Sequence, residues 1–93
     1  MPFRFPVFTI YRNSHSVPNP LMPEHALTFS TSAKATAFMH QRGETDWEFR
    51  VINRFNVREF ADDLRRQNLT GVCYDPDEDG SSGEQVSIEE LFQ

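Results

Sequence analysis

"DWEFRVINRF" (residues 46–55) is the stretch on which the fold turns. Trp47, Phe49 and Val51 alternate with Glu48, Arg50 and Ile52. A period of two marks a strand, here with one apolar face and one mostly polar face. A strand buried on both sides would be apolar throughout. The alternation therefore predicts a sheet covered mainly on one side.

Just downstream, "NVREFADDLRRQN" (56–68) has the helical period. Val57, Phe60, Ala61 and Leu64 recur at i, i+3, i+4 and i+7 and form one apolar stripe. Asn56 stands where a helix N-cap belongs, and Asn68 can close the helix in a left-handed conformation. "TGVCYD" (70–75) follows as a buried strand, and Ser87 with Glu90 makes a capping box for a last short helix over 87–92. Upstream, "FPVFTIYR" (5–12) is a strand, with Pro6 at its first residue or an edge. Residues 13–25 hold Pro18, Pro20 and Pro23 and read as a Pro-rich loop. "ALTFS" (26–30) is a second strand, and 30–43 is a helix capped by Ser30 or Thr31 and stopped by Gly43.

The order is β-β-α-β-α-β with a short C-terminal helix, which places the chain in the α/β (α+β) class. The expected architecture is a single two-layer domain over 1–93, with helices mainly on one face of a mixed sheet. Each strand–helix–strand crossover should be right-handed. Both helices share a face if successive crossovers run the same way across the sheet.

The bulk composition agrees with one small domain. The chain has 93 residues, nine of them Phe, and large rings fill a small core economically. A lone cysteine, Cys73, excludes an internal disulfide framework and favours a reducing compartment. No apolar run of spanning length is present, and the N-terminus has no signal-peptide pattern. Cytoplasmic location and no membrane partner are the expectations. Net charge is −5, yet residues 75–93 carry seven acids and no base, while 1–74 carry all nine bases beside seven acids. Without a general surplus of Lys and Arg, nucleic acid is not an expected partner.

Part of the order has a counterpart in a known family. "PVFTIYR", "ALTFSTSAKATAFM" and "REFADDLRRQNLTGVCYDP" resemble the N-terminal domain of the enhanced-serine-sensitivity protein family. There a strand ending in Phe and a small polar residue leads into an Ala-rich helix. A later helix and short strand run into an Asp-Pro or Asn-Pro turn. The matching stretches span roughly residues 6–10, 27–39 and 57–76. The Pro-rich loop at 13–25 and the acidic segment after Pro76 depart from the pattern. The resemblance implies a small α/β domain with no established catalytic residues, so no site is carried across.

Three groups of residues are candidates for chemistry. "DPDEDGSSGEQV" (75–86) begins like an EF-hand calcium loop: Asp75, Asp77 and Asp79 at positions 1, 3 and 5, then Gly80. Val86 stands where the bidentate Glu is required, and a strand precedes the loop instead of a helix. Calcium is the one cofactor the sequence suggests. The competing reading is a solvated acidic loop of turn-forming residues. The second group is Cys73 with His15, His25 and His40. Their spacing matches no metal or nucleophile pattern, so Cys73 reads as an inert buried thiol.

The third group is basic. Arg50 and Arg54 share parity on one strand, Arg12 ends another, and Ile52 lies between the first two. If these strands are neighbours, the uncovered sheet face bears a basic stripe suited to an anionic ligand or an acidic protein. The competing reading is that the Arg stems only shield apolar sheet surface. Neither a glycine-rich phosphate loop nor a Gly-x-Ser-x-Gly elbow occurs.

These features point to a protein-binding module without catalytic activity, with self-association through opposite charges also open. One alternative is a calcium-binding or metal-stabilised protein using Asp75, Asp77 and Asp79. The other is a small enzyme with its site at the strand ends near Ser30, Thr31, Asn53 and Asp75.

Overall fold

The computed structural model describes residues 4–77 and 79–92. Among the described residues the chain forms an α+β domain built on one mixed sheet of seven strands. The strands are β1 (Val7–Arg12), β2 (His15–Ser16), β3 (Pro18–Asn19), β4 (Met22–Phe29), β5 (Glu48–Ile52), β6 (Gly71–Tyr74) and β7 (Glu84–Ser87). The helices are α1 (Ser32–Gln41) and α2 (Val57–Arg66), with a last 3-10 turn over Glu89–Phe92.

β1 is central. It pairs antiparallel with β5 along its whole length, Val7 to Ile52 through Tyr11 to Glu48. On its other side Phe8 and Thr9 face β4, whereas Tyr11 and Arg12 face β2. β4 runs parallel to β6, and β7 closes the far edge antiparallel to β6. The long strands therefore lie in the order β5-β1-β4-β6-β7, with β2 and β3 wedged where β1 and β4 part.

That order corrects the expectation that the helices lie mainly on one face. The β4–α1–β5 crossover passes β1 toward one edge, and the β5–α2–β6 crossover returns past β1 and β4. Two right-handed crossovers running in opposite senses leave their helices on opposite faces. The core divides accordingly. Val7, Tyr11, Ala26, Ile52 and Val72 pack with Val57, Phe60, Ala61 and Leu64 of α2 and with Ile88 and Leu91 of the last turn. Ile10, Leu27 and Phe29, of opposite parity, pack with Ala35, Phe38 and Met39 of α1. Thr9 and Thr28 are buried in the sheet, where each hydroxyl donates to a neighbouring strand's carbonyl, Leu27 O at 2.9 Å and Cys73 O at 3.0 Å.

The same order reverses the face of β5. Ile52, placed by alternation with the polar residues, is 4% exposed beneath α2. Phe49 and Val51, expected in the core, are 39% and 46% exposed on the α1 side.

Local signals determine the helix ends. Thr31 Oγ1 accepts from Lys34 N at 3.2 Å and caps α1. Asn56 holds the N-cap position of α2, but its side chain makes no cap bond. It turns back instead, accepting from Asn53 N at 2.7 Å and donating to Val51 O at 2.9 Å, and so ties the end of β5 to the helix start. Asn68 has φ 61°, and Leu69 N donates to Leu64 O at 2.8 Å, the closing bond of a Schellman motif. The capping box forms as read: Ser87 Oγ donates to Glu90 Oε1 at 3.0 Å, and Glu90 N donates to Ser87 Oγ at 3.3 Å.

Two expected loops contain strands. In 13–25, Asn13 and Ser14 have φ of 53° and 64°, a two-residue turn of the type I′ kind that joins β1 to β2. Pro18 then pairs opposite Ala26 in β3, where its fixed φ fits extended backbone. In 75–86, the last three residues open β7.

Candidate functional site

The structure does not bring Arg12, Arg50, Ile52 and Arg54 together. Arg12 lies on the α1 side, its Nη2 2.5 Å from Glu44 Oε1 and its Nε donating to Asp46 O at 3.1 Å. Burial opposes ionisation of Glu44, but the hydrogen bond and charge of Arg12, then of Arg42, outweigh it and hold the carboxyl below its usual range. Arg50 is opposite Thr9 on the α2 side, its guanidinium carbon 4.1 Å from the Tyr11 ring centre and its Nη2 3.5 Å from Glu48 Oε1. The Tyr11 hydroxyl donates to Asp63 Oδ2 at 3.1 Å, and Asp63 is ion-paired to Arg66, so a polar string crosses from sheet to helix. Burial, then the Asp63 charge, pushes the Tyr11 phenol above its ordinary value. Arg54 lies past the end of β5 in a hollow of about 300 Å³ lined by Phe5, Val57, Leu91 and Phe92.

The three aspartates of the acidic loop do not converge either. Asp75 accepts from Ser30 N at 2.8 Å and from Lys34 Nζ at 3.2 Å, which fastens the end of β6 to the start of α1. Asp79 accepts from Ser81 N and Ser81 Oγ, and these bonds lower its pKa. Gly80 N donates to Asp77 O at 2.8 Å, closing a tight turn. Among the described residues no three His, Cys, Asp or Glu side chains are grouped as metal ligands. The strand ends hold a shallow hollow of about 240 Å³ between Lys34, Phe38 and Asp75. Asn53 belongs to the β5–α2 turn, where its Oδ1 accepts from Phe55 N at 2.8 Å.

The acidic loop instead covers sheet. Cys73 is on the α1 side, opposite Leu27, and it is fully buried. A Cβ on Gly83 would collide with Cys73 Sγ and come within 3.0 Å of Pro76 Cα. The loop thus lies directly against the thiol, whose pKa burial raises. Asn19 Nδ2 donates to Gly80 O at 2.8 Å and fastens the loop to β3. Such a thiol is packed, not poised for reaction.

With α1 over β1 and β4, and the acidic loop over β6, the β5 end of that face stays bare. Phe49 stacks edge-on against Phe8 at 6.1 Å and against Trp47 at 5.4 Å, and Val51 lies opposite Phe8. Phe55, just beyond the strand, is 96% exposed. Among the described residues β5 pairs with β1 alone; on its outer edge Val51 O accepts from Asn56 Nδ2 at 2.9 Å, and no other strand covers the backbone of Phe49. An edge strand of this kind is a template for another strand. The alternation of β5 points Phe49 and Val51 to the core and so conceals them as a surface. The only signal in the chain was Ile52, whose apolar character spoiled the polar face.

A scan against protein-family models matches none, and searches of curated proteins and of solved structures return no match. The resemblance to the enhanced-serine-sensitivity family therefore rests on the quoted stretches of sequence. Among the described residues, no helix is long and apolar enough to cross a membrane.

Proposed function

We propose that this domain is a protein-interaction module whose contact surface is the β5 edge and the aromatic face beside it. The carrying observation is the joint exposure of Phe49 and Val51 on a strand with an open outer edge. Isolated exposed apolar residues are ordinary, but a contiguous aromatic patch on a strand with an uncovered edge has two means of holding a partner. Main-chain hydrogen bonds supply affinity, and the side chains on alternate positions supply selectivity. The buried thiol of Cys73 favours a reducing compartment such as the cytoplasm for this role.

Photo-crosslinking in the native host tests the reading. A photoreactive residue at position 49 should give a discrete adduct, whereas the same residue at position 85, on the far edge strand, should not. Equal labelling from both positions, or none from 49, overturns it.

A further inference from the structure

Resting on that reading of the β5 edge, we infer that the strand's partner is a second copy of this chain, joined antiparallel through β5 about a two-fold axis at Phe49. The side chains of the segment run in the order Trp47, Glu48, Phe49, Arg50, Val51. Reversed and laid beside itself with Phe49 opposite Phe49, this segment sets each Glu48 against the other copy's Arg50. It also sets each Trp47 against the other copy's Val51. Parity keeps the faces separate. The two Glu–Arg pairs lie on the α2 side, and the Trp–Val and Phe–Phe pairs lie on the α1 side. Opposite charges and aromatic pairs directly across an antiparallel ladder are the favourable ones, and like charges the unfavourable ones.

Neighbouring registers are worse. Centring on Arg50 opposes two guanidinium groups, and centring on Glu48 opposes two carboxylates. The charges on this edge, Glu48 and Arg50, are of opposite sign and so do not repel a reversed copy of the strand. The strand has no Pro and no Lys, and β1 pairs with it without interruption. An isologous contact of this kind closes on itself.

Charge distribution selects this edge over the other. Residues 75–93 carry seven acids and no base, and β7 lies among them. Pairing β7 with β7 would bring two such tails together. Pairing β5 with β5 places them at the far ends of a continuous sheet. It also merges the two bare patches of Phe8, Trp47, Phe49 and Val51 into one strip between the two α1 helices.

The test is a charge swap read by sedimentation over a micromolar-to-millimolar concentration series, with melting curves to confirm folding. The unaltered chain should show a concentration-dependent monomer–dimer equilibrium. Glu48→Arg and Arg50→Glu should each weaken self-association at least about tenfold, since each opposes like charges twice. Mixing the two variants should restore a dimer of one copy of each, and the double reversal in one chain should restore the homodimer. A monomer throughout, or a dimer indifferent to both reversals, overturns the inference. So does failure of the mixture to rescue. The crosslink at position 49 separates this from the broader reading. An adduct of two copies supports both, an adduct with a different protein supports only the module, and no adduct refutes both.

Discussion

Truncating Leu64 and Ile10, singly and together, tests the division of the core by the sheet. Leu64 is wholly buried in the cluster beneath α2, and Ile10 is wholly buried in the cluster beneath α1. Leu64→Ala should cost about 2–5 kcal/mol and Ile10→Val about 0.5–1.5 kcal/mol, the ranges for such deletions in close-packed cores. A domain of 93 residues has roughly 5–14 kcal/mol in total, so the double variant, at a cost of about 2.5–6.5 kcal/mol, keeps a folded baseline wherever that total exceeds about 7 kcal/mol. Because β1 separates the two sites, the costs should add to within about 0.5 kcal/mol. Urea unfolding is the assay, with far-ultraviolet dichroism and the single Trp47 as probes and an unchanged slope as the control for two-state behaviour. Trp47 is well placed to report: its indole N–H donates to Glu44 O at 3.0 Å, so unfolding releases it. Coupling of about 1 kcal/mol or more would mean that the two residues share one packed cluster, and the opposite-face arrangement would fall. A cost below about 1 kcal/mol for Leu64→Ala would refute the α2 core itself.

Gly71→Ala should detach β7. Its new methyl would collide with Val86 O and approach Ser87 Cα to 3.0 Å, so faster amide exchange over 84–87 than over β1 is expected, and unchanged exchange there would contradict the packing. Alkaline stability should fall as pH rises past the ordinary values of Cys73 (9.0) and Tyr11 (10.0), because burial raises both in the folded state and the unfolded groups ionise first. That contribution is complete below those values and is lost as pH climbs to the folded ones. Tyr11→Phe should flatten the upper part of the decline, and an unaltered pH profile would exclude Tyr11 as its source. Added calcium should leave the melting temperature unchanged, since Asp75 is engaged by Ser30 N and Lys34; a saturable rise would show that the loop rearranges to bind it.

What was legible in the sequence was local. The α2 stripe, the left-handed Asn68 and the Ser87–Glu90 box depend on residues within a turn or two of one another, and each is found as read. The Asn13–Ser14 turn was equally local, but the prolines around it masked the signal. The side of the sheet on which α1 lies was not legible. It depends on where β5 inserts, and that is decided by pairing with β1 nearly forty residues earlier in the chain. Parity failed for the same reason. A five-residue alternating strand fits either face, and the choice follows from Val57 and Phe60, which draw Ile52 toward α2. Once that face is chosen, Arg50 follows Ile52 to the α2 side, Arg12 remains on the other, and no basic stripe can form.

The bare aromatic edge follows from dimensions. Five strands about 4.8 Å apart make a face roughly 20 Å wide, and one helix covers about 10 Å of it. On the α1 side that helix sits over β1 and β4. The remainder must be capped by loop or left open. At the β6 end the acidic loop does the capping, and the bare backbone of Gly83 lets it lie close against the buried Cys73 thiol. At the β5 end the only following segment is the tight Asn53–Asn56 turn, which is occupied in launching α2 on the opposite face. Large rings at Phe8, Trp47 and Phe49 pack on one another there and still remain partly in water. An open edge lined this way becomes more stable when another strand covers it. The acidic loop and the aromatic strand are thus two answers to one geometric shortfall, and only the second has need of a partner.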